Sequence, residues 1–204
     1  MSRIANAAPR REYHSELRAQ QADATRARIL EATLRVMARG IASVSMPEVA
    51  REAGVSVPTV YRHFGTKEEL LAAVYPHVAR RIGLDKLRVP ESLDDLRDGI
   101  RAVFEKVDSY SDLERAAVAS PGADATRRLT MPQRMKWLSR FADSIQPRLA
   151  KADRDRITRL LVVLTASSSL RMWRDHLGVS VEQAADDIDW VMRASIAASR
   201  ESHR

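Results

Sequence analysis

Val57, Pro58, Thr59, Tyr61, Arg62 and His63 place hydroxyls, a guanidinium, an imidazole and methyl-bearing groups in one short stretch. These are the groups that bond phosphate oxygens, read base edges and touch thymine methyls in a DNA major groove. Lys67 falls in the first turn of the next predicted helix. Free backbone amides and the positive helix end there already favour a phosphate. Val60 and Phe64 are four residues apart, so they share a face that can pack onto a preceding helix at Val49, Ala50 and Ala53. Plainer alternatives stand beside these roles: Tyr61 as a half-buried core aromatic, and Arg62 and His63 as solvated surface residues.

To act together these side chains need a short, firmly ended helix, and the flanking residues supply its ends. Ser45 with Glu48 three residues later makes a capping box for a first short helix, and Val44 and Val49 occupy the staple positions around it. Gly54 falls where that helix ends in a left-handed residue, a backbone state cheap only for glycine. Ser56 caps the second helix, whose first turn holds Pro58 at no cost in hydrogen bonds. Gly65 ends it, and Thr66 with Glu69 opens a third. Two short helices joined by a tight glycine-containing turn form a helix-turn-helix. A helix from about Thr25, or earlier, to Arg39, buried through Ile29, Thr33, Val36 and Met37 and closed by Gly40, is the predicted platform beneath it.

The run VAREAGVSVPTVYRHFGTKEELL, with Gly54, Thr59, Tyr61, Phe64, Lys67 and Leu70 in register, resembles the DNA-binding domain of TetR-family transcriptional regulators. The likeness extends from about Thr25 to Tyr75. It implies an all-helical homodimer with an N-terminal helix-turn-helix and a larger C-terminal domain. That second domain would bind a small effector that releases the protein from its operator. Position by position, the resemblance sets Val57, Pro58 and Thr59 toward bases and Tyr61, His63 and Lys67 toward phosphates. Arg62 and the cap residue Ser45 join the expected contact set. Met46 and Pro47 stand where some members carry a basic residue, so no base contact is expected from them.

Charge supports a nucleic-acid partner. The formal net charge is +7, and residues 1–81 hold 13 basic and 8 acidic side chains against 21 and 19 in residues 82–204. The excess therefore lies where the helix-turn-helix lies, as an electrostatic footprint on DNA requires. The chain has no cysteine, which removes disulfides, thiolate metal sites and cysteine nucleophiles. The apolar run Leu160 to Leu164 falls far short of the roughly 20 residues that cross a bilayer. Arg3, Arg10 and Arg11 precede no apolar block, so no signal peptide is expected and the expected location is the cytoplasm. Histidines 14, 63, 77, 176 and 203 lack metal-ligand spacing, and no nucleophile–base, Gly-rich phosphate or zincin motif occurs. The expected protein is not an enzyme and holds no metal or cofactor. Asp186, Asp187 and Asp189 read as a solvated acidic face.

The rest of the chain reads as helices. Residues 1–22 read as a flexible basic arm, 23–81 as the DNA-binding domain and 82–204 as an effector-binding and dimerisation domain. Pro76 lies inside the fourth helix, where it removes a hydrogen bond and should kink the helix; it either sets an angle between the domains or breaks the helix there with no mechanical role. After a linker at Val89–Pro90, Ser92 caps a fifth helix. A turn follows at Ser120-Pro121-Gly122, and a helix is broken or begun near Pro132. Residues 157–173 read as one widely apolar helix, and Ser180 with Gln183 opens the last. These last two helices are expected to form a four-helix homodimer interface, with intrachain core as the alternative. Phe104, Tyr110, Met131, Met135, Trp137, Phe141, Met172 and Trp173 are the candidates to line an effector pocket, each with core packing as its alternative. Few charges fall at inward positions, which favours a hydrophobic or neutral effector. The expected function is a repressor that binds a palindromic operator in double-stranded DNA. The alternatives are an effector-independent DNA-binding structural protein, or a small helical enzyme or carrier with an incidental helix-turn-helix.

Overall fold

The computed structural model describes residues 9–40, 44–88, 90–145 and 149–201. Those residues form ten α-helices and no strand, so the fold is all-α. The N-terminal unit is α1 (Pro9–Ala38), α2 (Met46–Ala53), α3 (Val57–Phe64) and α4 (Lys67–Arg81). In α1, Ile29, Thr33, Val36 and Met37 are all buried, as the sequence predicts. The helix nonetheless begins at Pro9, well before Thr25, so residues 9–22 of the expected arm are helical. Residues 16–24 are exposed. Apolar periodicity is silent over such a stretch, and the strong helix formers Glu16, Leu17, Arg18, Ala19, Gln20 and Gln21 extend the helix by propensity alone. Residues 1–8, with the arm's Arg3, lie outside the described residues.

Helices α5 (Leu96–Asp108), α6 (Asp112–Ala119), α7 (Gly122–Ile145), α8 (Lys151–Leu164), α9 (Ser167–Arg171) and α10 (Val181–Glu201) make up the rest. Of the linker, Val89 lies outside the described residues, while Pro90 packs so tightly on Gly99 of α5 that any Cβ there would collide with its ring. Helix α5 starts at Leu96, and the Ser92 hydroxyl accepts from the Asp95 amide just before it. Pro132 neither breaks nor begins a helix, because α7 runs through it. It sits on an exposed face where the carbonyl it frees, that of Arg128, can be hydrated. Helix α4 likewise continues past Pro76 to Arg81.

The single helix expected over 157–173 is divided at Ala166, whose ψ of 150° is extended. Hydroxyls bond carbonyls at the end of α8: Thr165 Oγ1 donates to Leu161 O at 2.6 Å, alongside the Thr165 amide, and Ser169 Oγ donates to Val163 O. Such side chains compete with the backbone ladder and so favour a break. A π-helical turn over Met172–His176 completes the segment. Ser180 and Gln183 cap α10 reciprocally, each side chain accepting from the other's amide, at 3.2 and 3.0 Å. Within the acidic cluster, Asp186 pairs with Arg97 of α5 and Asp189 with Arg193, which also holds Asp94. Asp186 and Asp187 are exposed, as the reading of a solvated face expects, while Asp189 is half-buried; the Asp186 pair with Arg97 ties α10 to the start of α5.

Arg81, at the end of α4, joins the two halves of the chain. Its guanidinium meets Glu31 of α1 at 2.6 Å and Glu114 of α6 at 2.6 Å, and Glu31 also bonds His77 Nε2 at 2.8 Å. Glu114 is buried and completes a capping box with Ser111. Burial raises its pKa, but the Ser111 hydroxyl and amide and the Arg81 guanidinium outweigh this and hold it below its ordinary value of 4.5. A carboxyl with a lowered folded pKa contributes stability above its unfolded pKa and loses it as pH falls through the folded value. Arg81→Ala is therefore expected to cost about 2 kcal/mol at neutral pH, since Ser111 still satisfies part of the carboxylate. The deficit relative to wild type should shrink below about pH 4.5, the ordinary glutamate value. Urea unfolding of both proteins across that range checks it.

Candidate nucleic-acid interface

The local sequence fixes both ends of α2 and α3. Ser45 Oγ accepts from the Glu48 amide at 3.4 Å and donates to the Glu48 carboxylate at 2.9 Å, so the box is closed between side chains rather than back to the Ser45 amide. Gly54 ends α2 at φ 63°, ψ 39°, where its amide and that of Val55 bond back to Arg51 and Ala50. This left-handed residue turns the chain tightly enough to bring α3 across α2. Ser56 Oγ accepts from the Thr59 amide at 3.3 Å, and Thr66 Oγ1 from the Glu69 amide at 3.1 Å.

Val60 and Phe64 face inward, 0% and 2% exposed, alongside Val49, Ala50 and Ala53 in the core. Their burial decides what the other face presents. Tyr61 is 48% exposed, so it is not the core aromatic of the alternative reading. Pro58 and Arg62 are exposed, while Val57, Thr59, His63 and Lys67 are half-buried with Val57 against the core. The Thr59 hydroxyl lies 2.8 Å from that of Ser56, which holds it at the start of the helix. Burial, then the neighbouring charges of Arg62 and Arg26, push the His63 pKa down. The imidazole is thus neutral at pH 7 and offers an N–H to a partner rather than a full charge.

Arg26 is absent from the contacts predicted by sequence. Its Nη1 donates to the His63 carbonyl at 2.8 Å, and its guanidinium lies 4.2 Å above the Phe64 ring. A cation at the end of α3 meets both a free carbonyl and the negative helix end. Arg26 thereby pins α3 to α1. Arg35 of α1 and Arg39 just beyond its end similarly grip Glu52 of α2, and their hydrogen bonds hold that carboxyl below its ordinary pKa. The platform helix positions both short helices through guanidinium contacts that span 13 to 37 residues of sequence.

The eight residues expected to line an effector pocket do not converge. Phe104, Tyr110 and Phe141 are buried, Met131, Met135 and Trp173 are half-buried, and Trp137 and Met172 are exposed at 44% and 53%. A cleft of about 300 Å³ opens where α6 turns into α7, lined by Val118, Ser120, Asp124, Arg127, Ser168 and Arg171. A recess of about 20 Å³ shares Val118 and Arg171 with it and is lined also by Tyr110, Leu170 and Arg174. Of the eight, only Tyr110 lines either space. The arginines there are a feature that the apolar stripe did not disclose.

Among the described residues no helix is long and apolar enough to cross a membrane, and no group of three acidic or histidine ligands could hold a metal. Residues 29–74 match the family model for bacterial regulatory proteins, tetR family. The chain is 40% identical over 68 residues to the HTH-type transcriptional regulator SrpR of Pseudomonas putida, covering 33% of this chain and 32% of that protein. It is 26% identical over 145 residues to the HTH-type transcriptional regulator EthR of Mycobacterium tuberculosis, covering 68% and 66%. It thus matches 32% and 66% of the length of these curated relatives. A crystal structure of a tetR-family transcriptional regulator from Streptomyces coelicolor superposes with a TM-score of 0.50 at 19% identity. That match covers 88% of this chain and 83% of the other, and it extends the likeness in fold to the C-terminal helices. The family is one of DNA-binding regulators and not of enzymes. Residues 29–74 thus carry a helix-turn-helix of the kind found in the tetR family of bacterial regulatory proteins.

Proposed function

We propose that the protein is a repressor that binds a palindromic operator as a homodimer and is released when a small effector occupies its C-terminal domain. The observation that carries this reading is the two-sided character of α3, buried through Val60 and Phe64 and presenting Pro58, Thr59, Tyr61 and Arg62 outward. Thr59 is assigned to a base edge or thymine methyl, and Tyr61, His63 and Lys67 to phosphates. The second copy would dock along α10 and α8. Trp190 is 71% and Val163 63% exposed, and Trp190 shares its face of α10 with exposed Ala194 and Ala197, a surface on which a like helix can approach closely.

Two substitutions separate base reading from phosphate gripping. Thr59→Ala is expected to cost about 1–3 kcal/mol on the preferred duplex and little on others. Lys67→Ala should weaken all duplexes alike and reduce the slope of log affinity against log salt by about one. Fluorescence anisotropy titrations on an operator selected from a random duplex pool would read both. Equal losses on all sequences for both variants would defeat the role assignment and favour the architectural alternative.

A further inference from the structure

Two stripes of exposed side chains run along α8 and α10 at alternating spacings of four and three residues. On α8 the stripe is Ala152, Arg156, Arg159 and Val163, and on α10 it is Asp187, Trp190, Ala194 and Ala197. That spacing is the one at which a helix offers a continuous seam to a second helix. Both helices already bury their opposite faces in the protomer, through Ile157 and Leu161 on α8 and Ile188 and Met192 on α10. Val163 and Trp190, one in each seam, are the two most exposed large apolar side chains among the described residues. The seams also differ in charge. Asp186 and Asp189 are held within the chain by Arg97 and Arg193, and Arg156 is held by Asp153 at 2.8 Å. Arg159 and Asp187 are the seam charges that form no ion pair among the described residues, a cation on one helix and an acid on the other.

We propose that a second copy docks with its α10 alongside α8 in the same chain direction, so that Arg159 meets the partner's Asp187 while Val163 meets the partner's Trp190. This rests on the reading of the chain as a homodimer, and it adds the register by which the chain accepts its own copy. Arg159 and Val163 are four residues apart and Asp187 and Trp190 three, close to one turn in each case, so a single alignment satisfies both contacts. The opposite chain direction, with the charge pair kept, would set Val163 against the partner's Gln183 and Arg156 against the partner's Trp190. Both apolar groups would then face polar ones. A two-fold axis makes every such contact twice. An ion pair at the edge of an interface adds little to affinity, but like charges set there are costly, so the pair governs which chain is accepted.

The test is charge reversal in the full chain, read by sedimentation over a dilution series with circular dichroism as the control for folding. Arg159→Glu and Asp187→Lys are each expected to weaken self-association by about tenfold to a hundredfold, since each sets two like-charged pairs in the interface. An equimolar mixture of the two variants is expected to associate as wild type does, and so is the chain that carries both changes, because unlike charges then face each other again. Both side chains are exposed, so the helical signal of every variant should match wild type. Single variants that associate like wild type overturn this register, as do losses that neither the mixture nor the double variant restores. With a dimeric wild type, either result leaves the homodimer reading standing. A wild-type chain that stays monomeric at micromolar concentration defeats the homodimer reading and this register with it.

Discussion

Trp190→Asp is expected to leave the chain monomeric at micromolar concentration and to weaken operator binding by about 10²–10⁴-fold. The first effect follows from a charge placed where the exposed Trp190 indole, with Ala194 and Ala197 on its face, would meet a second copy, whose docking would then bury two unpaired carboxylates. The second follows from losing the linkage between half-sites, which makes the second recognition event intramolecular. Trp190 is 71% exposed in the single chain, so its replacement leaves the protomer core of Ile188, Met192 and Ile196 intact. Sedimentation velocity with helical circular dichroism separates loss of assembly from loss of folding. A variant that stays dimeric would move the interface elsewhere on the molecule.

Phe64→Ala is expected to destabilise the N-terminal unit by about 3–5 kcal/mol, the range for a large aromatic removed from a packed core. Phe64 is 2% exposed at the last turn of α3, with the Arg26 guanidinium 4.2 Å above its ring. The substitution therefore opens a cavity under the recognition helix and also forfeits a cation–π contact of about 0.5–1 kcal/mol. Duplex binding should fall with stability, because α3 is held to its platform by Val60, Phe64 and the Arg26 bond to the His63 carbonyl. Urea unfolding followed by circular dichroism measures the loss. A cost under about 1 kcal/mol would mean that Phe64 does not hold α3 in place.

Features carried by neighbours in sequence were legible before any coordinates. Ser45, Ser56 and Ser180 each bond an amide three residues on, and Gly54 takes the left-handed turn its position demands. The face of α3 could be divided because a four-residue spacing decides which side a residue occupies. Features that depend on a distant partner were not legible. Arg26 finds the His63 carbonyl across 37 positions, and Arg134 finds the end of α8 across 31. Nothing local distinguishes those arginines from the many solvated ones. The break at Ala166 also escaped, since apolar content predicts burial but not the competition of Thr165 and Ser169 hydroxyls for backbone carbonyls. The expected pocket residues divide for a related reason: an apolar residue at helical spacing is equally suited to core and cavity, and Phe104 and Phe141 pack inward while Trp137 and Met172 turn outward.

One measurement bears most directly on the claim that α3, presented twice, reads duplex DNA. The affinity of the wild-type chain is titrated at physiological salt on a selected palindrome and on the same duplex with scrambled half-sites, with protection mapped along both strands. A specific regulator is expected to bind the palindrome about 10³-fold or more tightly, with two protected major grooves about 34–36 Å apart. Equal affinity for both duplexes, or protection of a single groove by a monomer, would contradict it.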